Sequence, residues 1–412
     1  MNLDFLPRPS DKRIALRVTP AAERALRSGH PWVFDQAIRK QSHAGQPGDL
    51  AVVFDSKRRF LAIGLYDPDS PIRVRVLQQR QPATIDRDWF AARLRAAALI
   101  RQPLPAQQTD GYRLAHGEND GLPGLVIDRY AGTLVLKLYT AAWLPHLRDV
   151  IASLPAIQPF DRLVLRLSRS MGDAHGLRDG QVLAGDPISG PVVFRENGLR
   201  FAADVIHGHK TGFFFDQREN RAQVRKLAAG RRVLDVFAYS GGFSLYAAAG
   251  GAVSVTSLDS SAPALEAAAA NFALNQDDAR VAAAQHEMMV ADAFEGLERL
   301  HAQGAAFDLV IVDPPAFAKR AAETERALAA YARLTRLALN VLEPEGMFMI
   351  ASCSSRVSAD DFFNTVVQAA SDAGRPLIEF RRSGHALDHP VTFPEGAYLK
   401  ALFARTLSSQ EI

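Results

Sequence analysis

Cysteine is almost missing from this chain: Cys353 is the one thiol among 412 residues. No intramolecular disulfide can form and no cysteine-based metal cluster is possible. The eleven histidines show no ligand spacing that would hold zinc instead, so no metal is expected. A chain without disulfides fits a reducing cytoplasm. Long apolar runs are missing as well. None approaches the roughly 20 residues that span a bilayer, and the N-terminal MNLDFLPRPSDKR lacks the apolar core of a secretory signal. Net charge is slight, +3, but unevenly spread. Between Lys12 and Arg80 thirteen Lys and Arg face six Asp and Glu, an excess of +7, so the rest of the chain sums to −4. A basic front end on a near-neutral body points to a polyanion contact there, with a solvated charged surface as the alternative. The bulk composition, 48% apolar and 23% charged, is that of a globular protein, and the length allows two or three domains.

The densest pattern is Arg232–Ser260, RVLDVFAYSGGFSLYAAAGGAVSVTSLDS. Val233–Val236 reads as an apolar strand and Phe237–Gly242 as an aromatic and glycine loop. A small-residue helix over Phe243–Ala249 follows, then a second strand, Val253–Leu258, closing on Asp259. This is half of a nucleotide-binding α/β sheet. Ligands of such sheets sit at the carboxyl ends of the strands, where Asp235 and Asp259 fall. A dinucleotide is disfavoured, because the loop lacks GxGxxG and Asp235 stands at its mouth. A carboxylate about 4 Å from a phosphate is opposed by roughly 4 kcal/mol at an effective dielectric of 20. A GxxxxGK[ST] lysine is absent too. A ligand with a cationic group, a ribose and no phosphate fits better, and S-adenosylmethionine has all three features. Its ammonium and sulfonium suit Asp235, its ribose hydroxyls Asp259, and its carboxylate the helix N-terminus behind Phe237, Gly241 and Gly242. The plainer alternative is a structural crossover with incidental acids.

Ahead of this stretch, residues 14–77 read as several short strands around the helix Ala21–Ser28, the composition of a small barrel. Arg24, Arg27, Arg39 and Lys40 are candidate phosphate contacts in it. Residues 81–200 read as α+β, with helices at Trp89–Ile100 and Trp143–Ser153 and a hairpin signal at Glu196-Asn197-Gly198. Ile206–Arg221, IHGHKTGFFFDQRENR, runs three phenylalanines into Asp216. Asp216 and Glu219 have capping-box spacing, and the same stretch is placed to lie over an adenine or a target base. Beyond the central motif, Met288–Val290 closes on Asp292, either an acceptor for an adenine amino group or a helix cap. Phe307–Val312 is an apolar, buried parallel strand that ends in Asp313-Pro314-Pro315-Ala316-Phe317. Two prolines force an extended turn and remove two donors, so Asp313 and the Pro314 carbonyl can face a planar amine or amide edge with Phe317 beside it. Cys353 ends the strand expected beside that of Asp313, and Tyr398–Arg405 is expected to complete the sheet.

Together HGHKTGFFFDQRENR, VLDVFAYSGGFSLYAA, DLVIVDPPAFAK, ASCSS and DHPVTFPEGAYLK resemble the RlmI-type 23S ribosomal RNA (cytosine-5)-methyltransferases, and GHPWVF followed by GDLAVV resembles a PUA domain. The resemblance covers nearly the whole chain. It implies a PUA-like RNA-binding domain over 1–80, a central α+β domain over 81–200 and a class I, Rossmann-like methyltransferase sheet over 201–412. It also implies S-adenosylmethionine as methyl donor, 23S ribosomal RNA as partner and Cys353 as nucleophile. Asp216, Asp235, Phe237, Gly241, Gly242, Asp259 and Asp292 fall to the cofactor, and Asp313 assists Cys353. Pro314, Phe317, Arg24 and Arg27 fall to the substrate. Two departures stand out: Ala316 occupies a position that is often Lys in the family, and the DPPAF turn brings no second cysteine to assist enzyme release. Two other readings remain at this point. An exocyclic-amine methyltransferase would use Asp313-Pro314-Pro315-Ala316-Phe317 without a nucleophile, and a non-catalytic RNA-binding or ribosome-assembly factor would merely keep the fold. The oligomeric state is not legible, and a homodimer is compatible with the sequence.

Overall fold

Alternating burial sets the first strands. In β1 (Ile14–Val18) Ile14, Leu16 and Val18 are buried while Ala15 is exposed, the period-2 pattern of a half-covered sheet. The helix α1 (Pro20–Arg27) starts at Thr19, whose hydroxyl accepts the Ala22 N–H, with Pro20 in the first turn where no N–H is missed. With β2 (Trp32–Phe34), β3 (Ile38–Gln41), β4 (Leu50–Phe54), β5 (Phe60–Tyr66) and β6 (Ile72–Gln79), β1 forms a sheet in the order β2-β6-β5-β4-β1-β3. Only the β1–β4 pair in it is parallel. The computed structural model describes residues 5–169, 171–172, 176–208, 210–318 and 320–407; His209 and Lys319, which belong to two of the motifs above, lie outside the described residues.

The helix α2 (Arg87–Arg101) is capped by Asp86, whose carboxylate accepts the Trp89 N–H. It covers a second sheet made of β7 (Gly111–His116), β8 (Leu125–Tyr130), β9 (Thr133–Leu138), β10 (Arg162–Leu167) and β11 (Gln181–Ala184), in the order β11-β10-β9-β8-β7. The helix expected from Trp143 begins later: Ala141–His146 is a 3-10 turn with Pro145 inside it, and α3 (Leu147–Ser153) is the α-helical part. A proline that far inside cannot donate, and its ring crowds the preceding turn. Leu50, Ile63, Leu65 and Leu77 of the first sheet share one apolar core with Phe90, Leu94, Trp143, Leu125, Leu136 and Leu165. Next come β12 (Val192–Glu196) and β13 (Leu199–Ala203); between them Asn197 and Gly198 both have positive φ, as a type I′ turn requires.

The chain divides into two compact units. One comprises Met1–Gly198, Ala203–Phe215 and Leu387–Gly396; the other comprises Leu199–Ala202, Asp216–Ala386 and Ala397–Ile412. The late segment is held in the first unit by buried polar bonds. The Arg101 guanidinium donates to both Asp120 carboxylate oxygens, at 2.9 and 2.7 Å, and to the Asp388 carbonyl at 2.7 Å. Asp388 in turn accepts the Arg113 N–H at 2.8 Å.

The second unit is a wound α/β sheet. Its elements are α4 (Arg218–Leu227), β14 (Arg232–Val236), α5 (Gly242–Ala249), β15 (Ser254–Asp259), α6 (Ala262–Ala273), α7 (Ala279–Ala283), β16 (Gln285–Val290) and α8 (Ala293–Ala302). They continue with β17 (Phe307–Val312), α9 (Thr324–Asn340), β18 (Leu342–Ser352), α10 (Ala359–Asp372), β19 (Leu377–Ser383) and β20 (Lys400–Thr406). Strand order is β16-β15-β14-β17-β18-β20-β19, the first five strands parallel and the last two antiparallel to their neighbours. The final strand therefore does not close an edge: β20 lies between β18 and β19. β19 is almost wholly exposed and mixes Leu377, Ile378 and Phe380 with Glu379, Arg381 and Arg382, so no buried face marks it in the sequence. Successive strands step one way from β14 to β16 and the other way from β17 to β18. The crevice over β14 and β17 is thus the switch point at which such sheets hold ligands. No helix among the described residues is long and apolar enough to cross a membrane.

Candidate active site

The loop after β14 is bent into an unusual shape. Phe237, Tyr239 and Gly241 have φ of 66°, 48° and 72°. Two left-handed non-glycine residues in five are strained, and such strain persists where the surroundings impose it. Asp259 supplies part of that imposition: one carboxylate oxygen accepts the Tyr239 N–H and the other the Ser261 N–H, each at 2.9 Å. At Gly241 a Cβ would stand 2.7 Å from Ala268 Cβ, so the loop can pass over α6 only with glycine there. Gly242 opens α5 against Arg221.

Asp235 is fully buried. Its Oδ2 accepts the Ser244 N–H at 3.0 Å and the Ser244 hydroxyl at 2.6 Å. The chain of hydroxyls continues from Ser244 to Ser257 at 2.7 Å and from Ser257 to His286 Nε2 at 2.9 Å. If Ser244 donates to the carboxylate, Ser257 must donate to Ser244, and His286 then donates from Nε2. Burial lowers the His286 imidazole to about 4, which keeps it neutral. Asp235 Oδ1 has no hydrogen-bond partner among the described residues. Desolvation, partly offset by the two Ser244 bonds, raises its carboxyl to about 7. A buried carboxylate oxygen without a donor is costly. It fits a ligand that brings a cation or an N–H to the β14 loop, and the residues present suit the ammonium of S-adenosylmethionine. Asp235→Asn keeps an acceptor for Ser244 but turns the orphan oxygen into a donor. It is expected to weaken S-adenosylmethionine binding about tenfold or more in titration calorimetry, the scale of one charge-assisted bond; unchanged affinity would reject this role.

Asp292 is exposed and caps α8, its Oδ1 accepting from Phe294 N at 2.9 Å and Glu295 N at 3.3 Å. The helix-cap reading is therefore realised in the fold. Asp216 does not cap α4. Gln217 occupies the N-cap position without a side-chain cap bond, so the capping box read from Asp216 and Glu219 is not formed. Asp216 is instead buried, and its Oδ2 accepts the Tyr398 hydroxyl at 2.8 Å.

The DPPAF turn and Cys353 come together. β17 and β18 are adjacent and parallel, with Val312 opposite Ile350, so Asp313 and Cys353 leave neighbouring strands at the same end. The Cys353 thiol lies 3.8 Å from the Pro314 carbonyl. Phe317 packs against Tyr331 with the rings tilted at 52° and their centres 5.1 Å apart, and Tyr331 also hydrogen-bonds Ser352 at 2.8 Å and Ser354 at 3.2 Å. Asp313 Oδ1 accepts the Gln217 amide at 2.8 Å. Asn220 donates to Gln217 and Ser383 donates to Asn220, each at 2.6 Å, so a three-member relay orients that amide. Desolvation first, then the charges of Asp216 and Asp235, raise the Asp313 carboxyl to about 7; Gln217 and the buried Arg221 oppose the rise.

Sequence reasoning missed Gln217, Asn220, Arg221, Ser244, Ser383 and Lys400. The first three lie inside a motif it singled out, but nothing in their spacing separates them from an exposed helix turn. Ser383 and Lys400 reach the site only through the antiparallel insertion of β20.

In the first unit Arg27 is ion-paired with Glu23 at 3.4 Å and Asp55 at 2.9 Å, while Arg24 is exposed with no ion pair among the described residues. A cleft of about 400 Å3 in this unit is lined by Arg17, Lys40, Arg58, Ser42 and Phe54.

A family model described as S-adenosylmethionine-dependent methyltransferase matches residues 149–405, and one described as a PUA-like domain matches residues 16–79. The chain is 52% identical over 405 residues, 96% of its length and 98% of the relative, to a ribosomal RNA large subunit methyltransferase of Deinococcus radiodurans. The chain belongs to the ribosomal RNA large subunit methyltransferase family. It is also 38% identical over 404 residues, 95% of its length and 99% of the relative, to ribosomal RNA large subunit methyltransferase I of Shewanella denitrificans. In fold it resembles a candidate S-adenosylmethionine-dependent methyltransferase from Streptococcus mutans, with a TM-score of 0.79 at 20% identity, covering 95% of this chain and 99% of that one. A second structure of this kind, solved with SAH bound, has a TM-score of 0.80 at 19% identity, covering 95% of this chain and 99% of that one. This family member thus carries the class I methyltransferase sheet and the PUA-like domain that its motifs imply, and S-adenosylmethionine is its cofactor.

Proposed function

We propose that the protein methylates carbon 5 of a cytosine in 23S ribosomal RNA, in the cytoplasm, through a covalent adduct at Cys353. The observation that carries this reading is the meeting of Cys353 with the DPPAF turn, 3.8 Å from thiol to Pro314 carbonyl, at the switch point of the sheet. The ribosomal RNA substrate is that of the named relatives.

The division of labour is threefold: RNA binding by residues 1–80, support by the central α+β region 81–200, and catalysis by 201–412. In the first part the exposed Arg24 and the basic cleft of Arg17, Lys40 and Arg58 suit phosphates. Arg27, already paired with two acids, contributes less. Asp235, Asp259 and the loop of Phe237, Gly241 and Gly242 hold the cofactor, with Asp292 and Asp216 at its margins. S-adenosylmethionine, when bound, supplies the methyl group. Carbon 5 of cytosine is a poor nucleophile. The Cys353 thiolate adds to carbon 6, the carbon 5–carbon 6 electron pair moves to carbon 5, and Asp313 donates a proton at N3 as that charge develops. After methylation water takes the carbon 5 proton, the freed electron pair restores the carbon 5–carbon 6 double bond as the sulfur leaves as thiolate, and N3 returns its proton to the Asp313 carboxylate. Pro314 and Phe317 bound the slot for a base that must leave its stack to enter.

The test is mass spectrometry of ribosomal RNA from a strain lacking the gene. One 5-methylcytosine should disappear from 23S RNA and return with the wild-type gene. Loss of an N4-methylated base instead would establish the amine chemistry, and unaltered RNA would reject the enzyme reading.

A further inference from the structure

One row of side chains crosses the rim of the first sheet. Lys40 of β3 pairs with Arg17 of β1 in the antiparallel register, and Arg17 pairs with Phe54 of β4 in the parallel one. Strand partners in register share a face, so two cations and a ring stand side by side. β3 ends the sheet, which places the row at an open edge. The turn after β4 adds a third cation, Arg58, whose φ of 61° is left-handed. That turn is firmly held. Asp55 accepts the N–H groups of Lys57 at 2.9 Å and Arg59 at 2.8 Å, and the Arg17 guanidinium donates to the Ser56 carbonyl at 3.1 Å. These side chains surround the cleft of about 400 Å3 described above, a volume within the range of pockets that take small ligands.

The positive charge of this cleft is not balanced in place. None of its lining residues is an acid. The two acids of the same corner are spent elsewhere. Asp55 takes the guanidinium groups of Arg27 at 2.9 Å and Arg59 at 2.8 Å, and Glu23 takes the Ser56 N–H at 2.7 Å and Arg27 at 3.4 Å. Lys40 and Arg58 are exposed and make no ion pair among the described residues. Like charges directly opposite each other on a sheet repel, so the Lys40–Arg17 pair costs stability until an anion lies between them. Phe54 is half-buried, with part of its ring open to the same cleft. We infer that this cleft holds one unstacked nucleotide of the RNA, with its base against Phe54 and its flanking phosphates on Lys40, Arg17 and Arg58. The inference rests on the proposed RNA substrate and deepens it by naming a single-stranded segment as the part recognised here. Cations alone would suit any polyanion. The ring beside them favours RNA with free base faces, because a base stacks on an aromatic side chain and a duplex keeps its base faces covered.

Fluorescence anisotropy of a fluorescein-labelled single-stranded uridine RNA tests this in the full-length protein. On a single strand the logarithm of affinity falls with the logarithm of salt by about 0.7 for each phosphate neutralised. Lys40→Gln and Arg58→Gln should each reduce that slope by about 0.7, a loss of about fivefold in affinity at about 0.1 M salt. Phe54→Leu should weaken single-strand binding about fivefold or more with the slope unchanged, and should leave binding of an RNA duplex of the same length as it was. Circular dichroism verifies that each variant is folded; should Phe54→Leu not fold, the two exposed cations decide. Unchanged slopes overturn the inference, and so does a folded Phe54→Leu that binds the single strand as the wild type does or loses as much on the duplex. Labelled polyglutamate that binds as tightly as the RNA would assign the cleft to an acidic peptide instead. The measurement needs neither cofactor nor methyl transfer, so the two readings fail separately. Weakened variants with unaltered ribosomal RNA in the strain lacking the gene keep the cleft and reject the enzyme. Unchanged variants with the 5-methylcytosine lost reject the cleft and keep the enzyme.

Discussion

Cys353→Ala is expected to lower methyl transfer about a thousandfold or more, the scale on which removal of a covalent nucleophile acts. S-adenosylmethionine affinity should stay within about twofold, because the bonds that shape the β14 loop come from Asp259. The separation follows from the sheet. Asp235 and Asp259 end β14 and β15, whereas Cys353 follows β18, with β17 between them and β14. The contact of the thiol to the Pro314 carbonyl is long, 3.8 Å, and alanine gives it up at little cost. Single-turnover transfer from labelled S-adenosylmethionine, with calorimetry of cofactor binding in parallel, measures both quantities. A Cys353→Ala protein that methylates at the wild-type rate sinks the covalent mechanism. The DPPAF turn would then hold an amino group for direct transfer.

Asp313→Asn is expected to cost about 10²- to 10⁴-fold in the rate of transfer, the usual contribution of a positioned proton donor. The wild-type profile should be bell-shaped. It rises as Cys353 ionises and falls as Asp313, raised to about 7, loses its proton. The asparagine variant should keep the rising limb and lose the falling one. A stability effect of opposite direction accompanies the loss. The carboxyl sits near 3.8 in the unfolded chain and about 7 in the fold, so folding favours its neutral form. The stabilisation that this proton gives is complete below about 4 and is lost as pH rises through 7. The neutral amide escapes the loss. Asp313→Asn should therefore melt higher than the wild type at pH 8, and the gain should shrink toward pH 5, as scanning calorimetry would measure. A melting difference independent of pH would show that Asp313 titrates near its ordinary value in the fold.

The elements that could be read in advance share a physical cause. β14 and β17 are central parallel strands, mostly buried, so they read as largely apolar runs with an acid at or just beyond the carboxyl end, whereas β15, SVTSLD, is more polar and is marked by its closing Asp259. The loop of Phe237–Gly242 was legible because glycine is required where the backbone passes close over Ala268. β19 was not legible, since its residues are mostly exposed and its apolar and charged side chains are intermixed. The part of the 3-10 turn from Trp143 to His146 was read as α-helix because its apolar residues satisfy either period until Pro145 is weighed. Asp216 had a cap's spacing, but burial beside Tyr398 gave its carboxylate a different donor.

The sequence by itself determined the class of protein: a nucleotide-type α/β sheet carrying acids at its strand ends, an Asp-Pro-Pro turn, a single thiol and a basic, strand-rich front. Those features are local, written in runs and spacings of a few residues. Only the tertiary structure decided what surrounds the reacting groups. The Ser383–Asn220–Gln217 relay that orients Asp313 joins residues more than 160 positions apart in the chain. The Ser244–Ser257–His286 chain behind Asp235 crosses three strands. Lys400 reaches the Cys353 turn because β20 runs antiparallel beside β18. Burial and charge depend on what long-range pairing brings within a few ångströms, and a single chain carries no local mark of that distance.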